Sequence, residues 1–249
     1  MSFTFRLDNI EPMPMPHPHH HHHDETHYGS SAALRDFVIG ISDGLTVPFA
    51  LAAGLSGAVN SNNIILIAGV AEVIAGTISM GLGGYLAGKT EIEHYEGEQK
   101  REALEVREIP HKEEAEVKEI LAAYGISPAV QNQVAAELAM DHEKWVDFMM
   151  RFELGLEKPD PGAALSSALR IGLSYAVGGL IPLSAYLFFQ TPREGLEYSS
   201  FITVACLLTF GYFKARFTGQ NPLKGALTVT LTGITAAGAA YGIAKLITG

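Results

Sequence analysis

Cysteine is all but missing: the 249-residue chain has one, Cys206. That excludes a disulfide framework and any zinc site built on several thiolates. A surplus of positive charge is missing as well. Lys and Arg number 17 against 27 Asp and Glu, a net of −10. A nucleic-acid binder, which needs a basic face, is therefore excluded. No basic segment followed by a short apolar core and a small-residue cleavage site opens the chain, so no cleavable signal peptide is expected. Charge is also scarce over long stretches, because it is concentrated elsewhere. Residues 89–160 hold 18 acidic and 9 basic side chains, a net of −9, which leaves −1 for the rest of the chain. An acidic polar insert between apolar flanks is neither a simple soluble domain nor a collagen-like or disordered chain.

The first segment, residues 1–35, has neither helical nor strand period. Pro12, Pro14, Pro16 and Pro18 are followed by an unbroken run from His19 to His23. A disordered tail is expected here. The His run is open to three readings: metal binding, an affinity tag, or a low-complexity tract without a role. From Phe37 the text turns apolar. Residues 37–59 are interrupted chiefly by Ser42, Asp43 and Thr46, and residues 64–88 chiefly by Glu72 and small hydroxyls. Each run suffices to cross a bilayer, which takes about 20 residues. Three further runs follow the insert, at about 163–189, 198–213 and 223–247. The expected fold is therefore all-α, a polytopic membrane protein with five transmembrane helices. Its divisions are the tail (1–35), spans one and two (36–89), the insert (90–160) and spans three to five (161–249).

Orientation follows from Lys and Arg. Arg35, the insert, and the loop with Lys214, Arg216 and Lys224 fall on one side, leaving Arg193 and Lys245 on the other. The bias places the N-terminus and the insert in the cytosol, and an odd number of spans places the C-terminus across the membrane. The insert is rich in helix formers. One helix is expected over 90–108, continuous with the second span and ended by Pro110. A second is expected over 112–124, stopped by Gly125, and a third over about 128–156, opened by Ser127-Pro128.

Asp43 and Glu72 are carboxylates within apolar runs, where a charge costs about 2.5–3.5 kcal/mol and usually has a function. The bland alternative is that each is neutral, hydrogen-bonded and structural. Gly40, Gly44 and Pro48 loosen the helix around Asp43, and Pro48 frees the carbonyl of Gly44. Glu72, Gly76 and Met80 recur every fourth residue and share one helix face. Oxygen with soft sulfur suits a first-row divalent metal better than Mg or Ca. Met80 is otherwise ordinary packing.

In the insert, Glu102 and Glu105 are three apart, as are Glu113 and Glu116, and Glu153 follows Met149 and Met150 at helical spacing. Three helices that converge would gather these carboxylates and thioethers into one divalent-cation cluster. The competing explanation is a set of solvated surface faces. Glu91 and His94 form one Glu-x-x-His; a di-iron carboxylate site needs two.

The stretch from Asp43 to Gly57, DGLTVPFALAAGLSG, resembles the first span of the vacuolar iron transporter family. Residues 71–88, AEVIAGTISMGLGGYLAG, resemble its second, and residues 145–161, WVDFMMRFELGLEKPDP, resemble the end of its cytosolic metal-binding region. The likeness spans about residues 33–249 and is strongest to the plant-type form. It implies a five-span homodimer in the vacuolar membrane that moves ferrous iron into the vacuole in exchange for protons; Mn and other divalent transition metals are alternative cargoes between which the ligand set alone does not decide. It implies a pathway at the dimer interface through Asp43, Glu72 and Met80. It also implies cytosolic ligands at Glu102, Glu105, Glu113, Glu116, Met149, Met150 and Glu153. Lipid, metal ions, protons and a second copy are the implied partners. Iron is then substrate and not a prosthetic group, and no enzymatic activity is expected. The alternatives are a membrane-bound di-iron oxidase and a metal sensor that carries no flux.

Overall fold

A computed structural model of the chain describes residues 30–248. The Pro- and His-rich run lies outside the described residues. Among those described, every element is helical: α1 (Ser30–Ala58), α2 (Asn62–Glu108), α3 (Pro110–Ala123), α4 (Pro128–Leu138), α5 (His142–Phe152), α6 (Ala163–Phe188), α7 (Pro192–Phe217) and α8 (Pro222–Thr248). Helix α1 thus begins inside the segment assigned above to the tail. Five helices, α1, α2, α6, α7 and α8, are long and apolar enough to cross a membrane. Their exposed side chains include Ile67, Ile78, Leu173, Phe201 and Leu231. An outer surface of this kind is the inverse of a water-facing one and suits hydrocarbon.

Helices α1 and α6 form the centre of the bundle. α2 packs chiefly along α6, and α8 lies against α1 with α7 beside it. Glycine makes the central crossing close. A Cβ on Gly40 would strike the carbonyl oxygen of Ile171, and one on Gly44 that of Tyr175. The two glycines near Asp43 therefore serve backbone-to-backbone packing of α1 on α6. They do not loosen α1, which runs unbroken through Pro48. Gly88 does the same for α2 against the Ala164 backbone of α6, and Gly84 makes room for the Ile171 side chain.

Helix α2 has 47 residues. At 1.5 Å per residue it is roughly 70 Å long, over twice a hydrocarbon core of about 30 Å. Its second half leaves the bundle and becomes the first helix of the insert. There, Tyr95 and Val106 of α2 join Val117 and Leu121 of α3, Ala135 of α4, and Trp145, Val146, Met149 and Met150 of α5 in one buried core.

Two expectations are corrected. The helix predicted over 128–156 is two helices, α4 and α5, separated at residues 139–141. Asp141 makes the break. Its carboxylate caps α5 by accepting from the Lys144 backbone N–H at 3.3 Å and pairs with Lys144 Nζ at 2.8 Å. The turn lets the Trp145, Val146, Met149 and Met150 face roll into the core, which a straight helix continuing α4 does not offer. The expected span at 198–213 is longer, Pro192–Phe217. Its ends are polar but held: Thr191 accepts from the Glu194 N–H, Arg193 pairs with Glu197, and Lys214 and Arg216 sit in the last turn, where a helix favours cations.

Candidate metal pathway and carboxylate centre

Two sets of ionisable groups stand out, one on the membrane-spanning helices and one in the insert. In the bundle, Glu72, Gly76 and Met80 share a face of α2, as their spacing requires. Glu72 accepts a hydrogen bond from the Tyr175 hydroxyl of α6. Its other oxygen is buried and has no partner among the described residues. Tyr175 is itself buried, and its ring fills the space that a side chain at position 76 would take. Gly44, which packs on the Tyr175 backbone, is the next residue after Asp43, so the two carboxylates flank one tyrosine. Asp43 is exposed on the outer face of the single chain, in line with Ile39 and Val47.

Towards the insert, the same face of α2 opens onto a cleft of about 680 Å³ between α1, α2 and α6. Met80, Gly83 and Glu91 line it from α2, Arg35, Asp36 and Ile39 from α1, and Ser167 and Arg170 from α6. Met80 thus borders open space at the cleft. Glu91 also lines the cleft, whereas the exposed His94 lies 4.0 Å from Glu98 on its own helix. Asp36 and Arg170 are absent from the sequence-derived candidates. Asp36 is 1% exposed and its carboxylate meets the Arg170 guanidinium at 3.3 Å. One signal was available: Arg170 is a lone cation inside an apolar run, and such a residue needs a nearby acid.

In the insert, the paired glutamates converge. Glu102, Glu105 and Glu113 each place a carboxylate oxygen within 4.8 Å of the others, and so do Glu113, Glu116 and Glu153. Glu113 belongs to both triads. It is supplied by the first turn of α3, which Pro110 starts immediately after α2 ends, so the two helices meet in a tight corner. Glu153 is brought in by the end of α5, where Gly155 adopts φ +65°, a left-handed conformation that allows a sharp stop. Glu102 and Glu113 are each 1% exposed. Glu102 Oε1 and both oxygens of Glu113 lack hydrogen-bond partners among the described residues. These two are shielded from solvent, whereas Glu105 and Glu116 are half-buried and Glu153 is exposed.

Unpartnered buried carboxylates beside one another resist ionisation. Burial, reinforced by Glu113, Glu153 and Glu105, pushes Glu102 up to about 8. Burial, then Glu116 and Glu105, raises Glu113 above the usual carboxylate range despite the nearby Lys112 ammonium. Glu153 rises from burial and from Glu116, Glu113 and Glu105. A multivalent cation would supply the missing positive charge and the missing partners together. Met149 and Met150 are fully buried in the adjoining apolar core, beside Val106 and Val117, the residues that follow Glu105 and Glu116.

Apolar spans around half-shielded carboxylates, joined by one long helix to a buried acidic centre, define a multi-pass membrane protein suited to handling multivalent cations. The chain belongs to the VIT family, whose pattern it matches over residues 34–245. It is 52% identical over 224 residues to vacuolar iron transporter 1 of Tulipa gesneriana, covering 90% of this chain and 91% of that one. It is also 52% identical to vacuolar iron transporter 1 of Arabidopsis thaliana over 223 residues, 90% of this chain and 89% of the relative. Protein CCC1 of Saccharomyces cerevisiae is 37% identical over 225 residues, 86% of this chain and 69% of its own length.

Proposed function

We propose that the protein transports ferrous iron, and also Mn and other divalent transition metals, from the cytosol into the vacuole in exchange for protons. The observation that carries this reading is the pairing of two carboxylate sets, one in the insert and one on the membrane-spanning helices, with the cleft lined by Met80 on the insert side of the second. Family membership and the names of the relatives support iron as the cargo.

The Glu102, Glu105, Glu113, Glu116 and Glu153 cluster collects the ion on the cytosolic side, with Met149 and Met150 as soft neighbours that favour a transition metal over Mg or Ca. The ion enters the cleft, passes Met80, and reaches Glu72 and Asp43. Carboxylates hold metal when ionised and release it when protonated, so loading expels protons. An acidic vacuolar lumen protonates Asp43 and Glu72 and discharges the ion there. Tyr175 orients Glu72 by donating to one oxygen and leaves the other free for metal.

The N-terminus and the insert are cytosolic and the C-terminus lumenal, in keeping with Arg35, Lys214, Arg216 and Lys224 gathering on one side. The transporter is a homodimer whose pathway runs along the interface. Asp43 supports this arrangement, because it is exposed on an otherwise apolar face, and a carboxylate turned to lipid costs about 2.5–3.5 kcal/mol. A second copy on this face removes that cost.

The test is metal flux into proteoliposomes with and without an acidic interior. Acid inside should accelerate Fe(II) uptake, and side-by-side measurement sets the Fe and Mn preference. Metal binding with no flux under either condition would instead favour a sensor.

A further inference from the structure

The cleft beside Met80 contains a charge pair that the transport chemistry does not use. Asp36 of α1 lies two helical turns before Asp43, and its side chain is 1% exposed. It meets Arg170 of α6 at 3.3 Å, and the neighbouring Arg35 reaches it at 3.5 Å. Both arginines are much more exposed than the acid, at 41% for Arg170 and 64% for Arg35, and both line the cleft. A divalent cation on its way to Met80 therefore passes two guanidinium groups. Arginine does not lose its proton in proteins, so that repulsion is permanent unless a carboxylate opposes it.

We propose that Asp36 is a positioning residue for cation entry: its pairing with Arg170 cancels the guanidinium charge at the mouth of the cleft leading to Met80. This rests on the transport reading above. Among the described charged side chains lining the cleft, Arg35 and Arg170 are set against Asp36, Glu91 and Asp160, a surplus of one negative charge. Neutralising Asp36 erases the surplus and leaves the Arg170 guanidinium, 41% exposed and so partly screened by water, without its carboxylate. Packing alone does not require this pair, since apolar residues of similar volume hold two helices together at no desolvation cost. The pair instead lets α6 keep a cation near the mouth while the route stays passable to positive ions.

The test uses the full chain in proteoliposomes with an acidic interior, reading KM and maximal rate for Fe(II). Asp36→Asn should raise KM at least tenfold, and adding Arg170→Gln to it should return KM to within threefold of wild type. An unchanged KM in Asp36→Asn, or a double variant that keeps the defect, overturns the proposal. Removing both partners also relieves a folding defect caused by an unpaired charge, so the unfolding midpoint is read alongside: a KM defect that only follows a lowered midpoint overturns the proposal. Ala87→Arg provides an arm that leaves the pair intact, because Ala87 is exposed and lines the same cleft. The added cation should raise KM at least tenfold where Ala87→Gln, of comparable length, does not; equal KM in the two contradicts the proposal even if Asp36→Asn fails to fold. Wild-type protein without uptake would overturn the transport reading and this inference with it. Wild-type uptake with unaltered variants overturns this inference alone.

Discussion

Glu102 is the residue whose chemistry departs furthest from its ordinary behaviour among the acidic cluster. Its ordinary value is 4.5, and in the folded chain it rises to about 8. Between those values the folded chain keeps a proton that the unfolded chain has released. Stability without metal should therefore fall as pH rises through that window, and a bound cation should restore it. Thermal unfolding of the full chain in detergent at pH 5 and pH 8, with and without Mn(II), measures this. A midpoint that rises with pH in the absence of metal is the opposite result. Metal affinity should climb by up to tenfold per pH unit for each proton displaced, and Glu102→Gln should flatten that slope. Tyr175 offers a second test. Tyr175→Phe strips Glu72 of its donor and should cost about 1–3 kcal/mol of stability, read from the same unfolding measurement. The candidate ligands were legible because carboxylates in apolar runs, or repeated at helical spacing, are conspicuous in one dimension. Tyr175 and Asp36 were not, since a tyrosine in a span reads as packing and an acid at the edge of a span reads as solvated.

Helix α2 is the element that ties the molecule together, because one rod carries Glu72 and Met80 at one end and Glu102 and Glu105 at the other. Its continuity was visible in the sequence, where only Gly88 and Gly97 interrupt good helix formers before Pro110. The crossing of α1 on α6 was not visible in that way. Gly40 and Gly44 read as flexibility, whereas the structure uses them for close approach, and which of the two a glycine serves depends on the helix opposite. Gly44→Ala should force α1 away from the Tyr175 backbone and destabilise the bundle by about 1–3 kcal/mol, with loss of transport, in unfolding and flux assays. The substitution Gly83→Ala makes an informative comparison, since nothing lies within 4 Å of a Cβ there and stability should hold. The split between α4 and α5 was likewise hidden, because Asp141 is an ordinary surface acid until its carboxylate caps the following turn.

For the whole molecule, the single chain leaves Ile39, Asp43 and Val47 on an outer face, and the proposed dimer covers them. Val47→Cys in a Cys206→Ser background should form a disulfide-linked dimer on mild oxidation in membranes. Phe201→Cys, 75% exposed on α7, should not. Cross-linking through position 201 but not 47 would place the interface elsewhere. The five-span architecture was readable because a bilayer imposes long apolar runs that no other environment needs. Most directly, the central claim is tested by loading proteoliposomes with a pH-sensitive dye at acidic interior pH and following Fe(II) entry and interior pH together. Iron should enter as the interior loses protons, and Asp43→Ala should abolish both; iron entry with no proton movement, or undiminished in Asp43→Ala, would contradict the exchange.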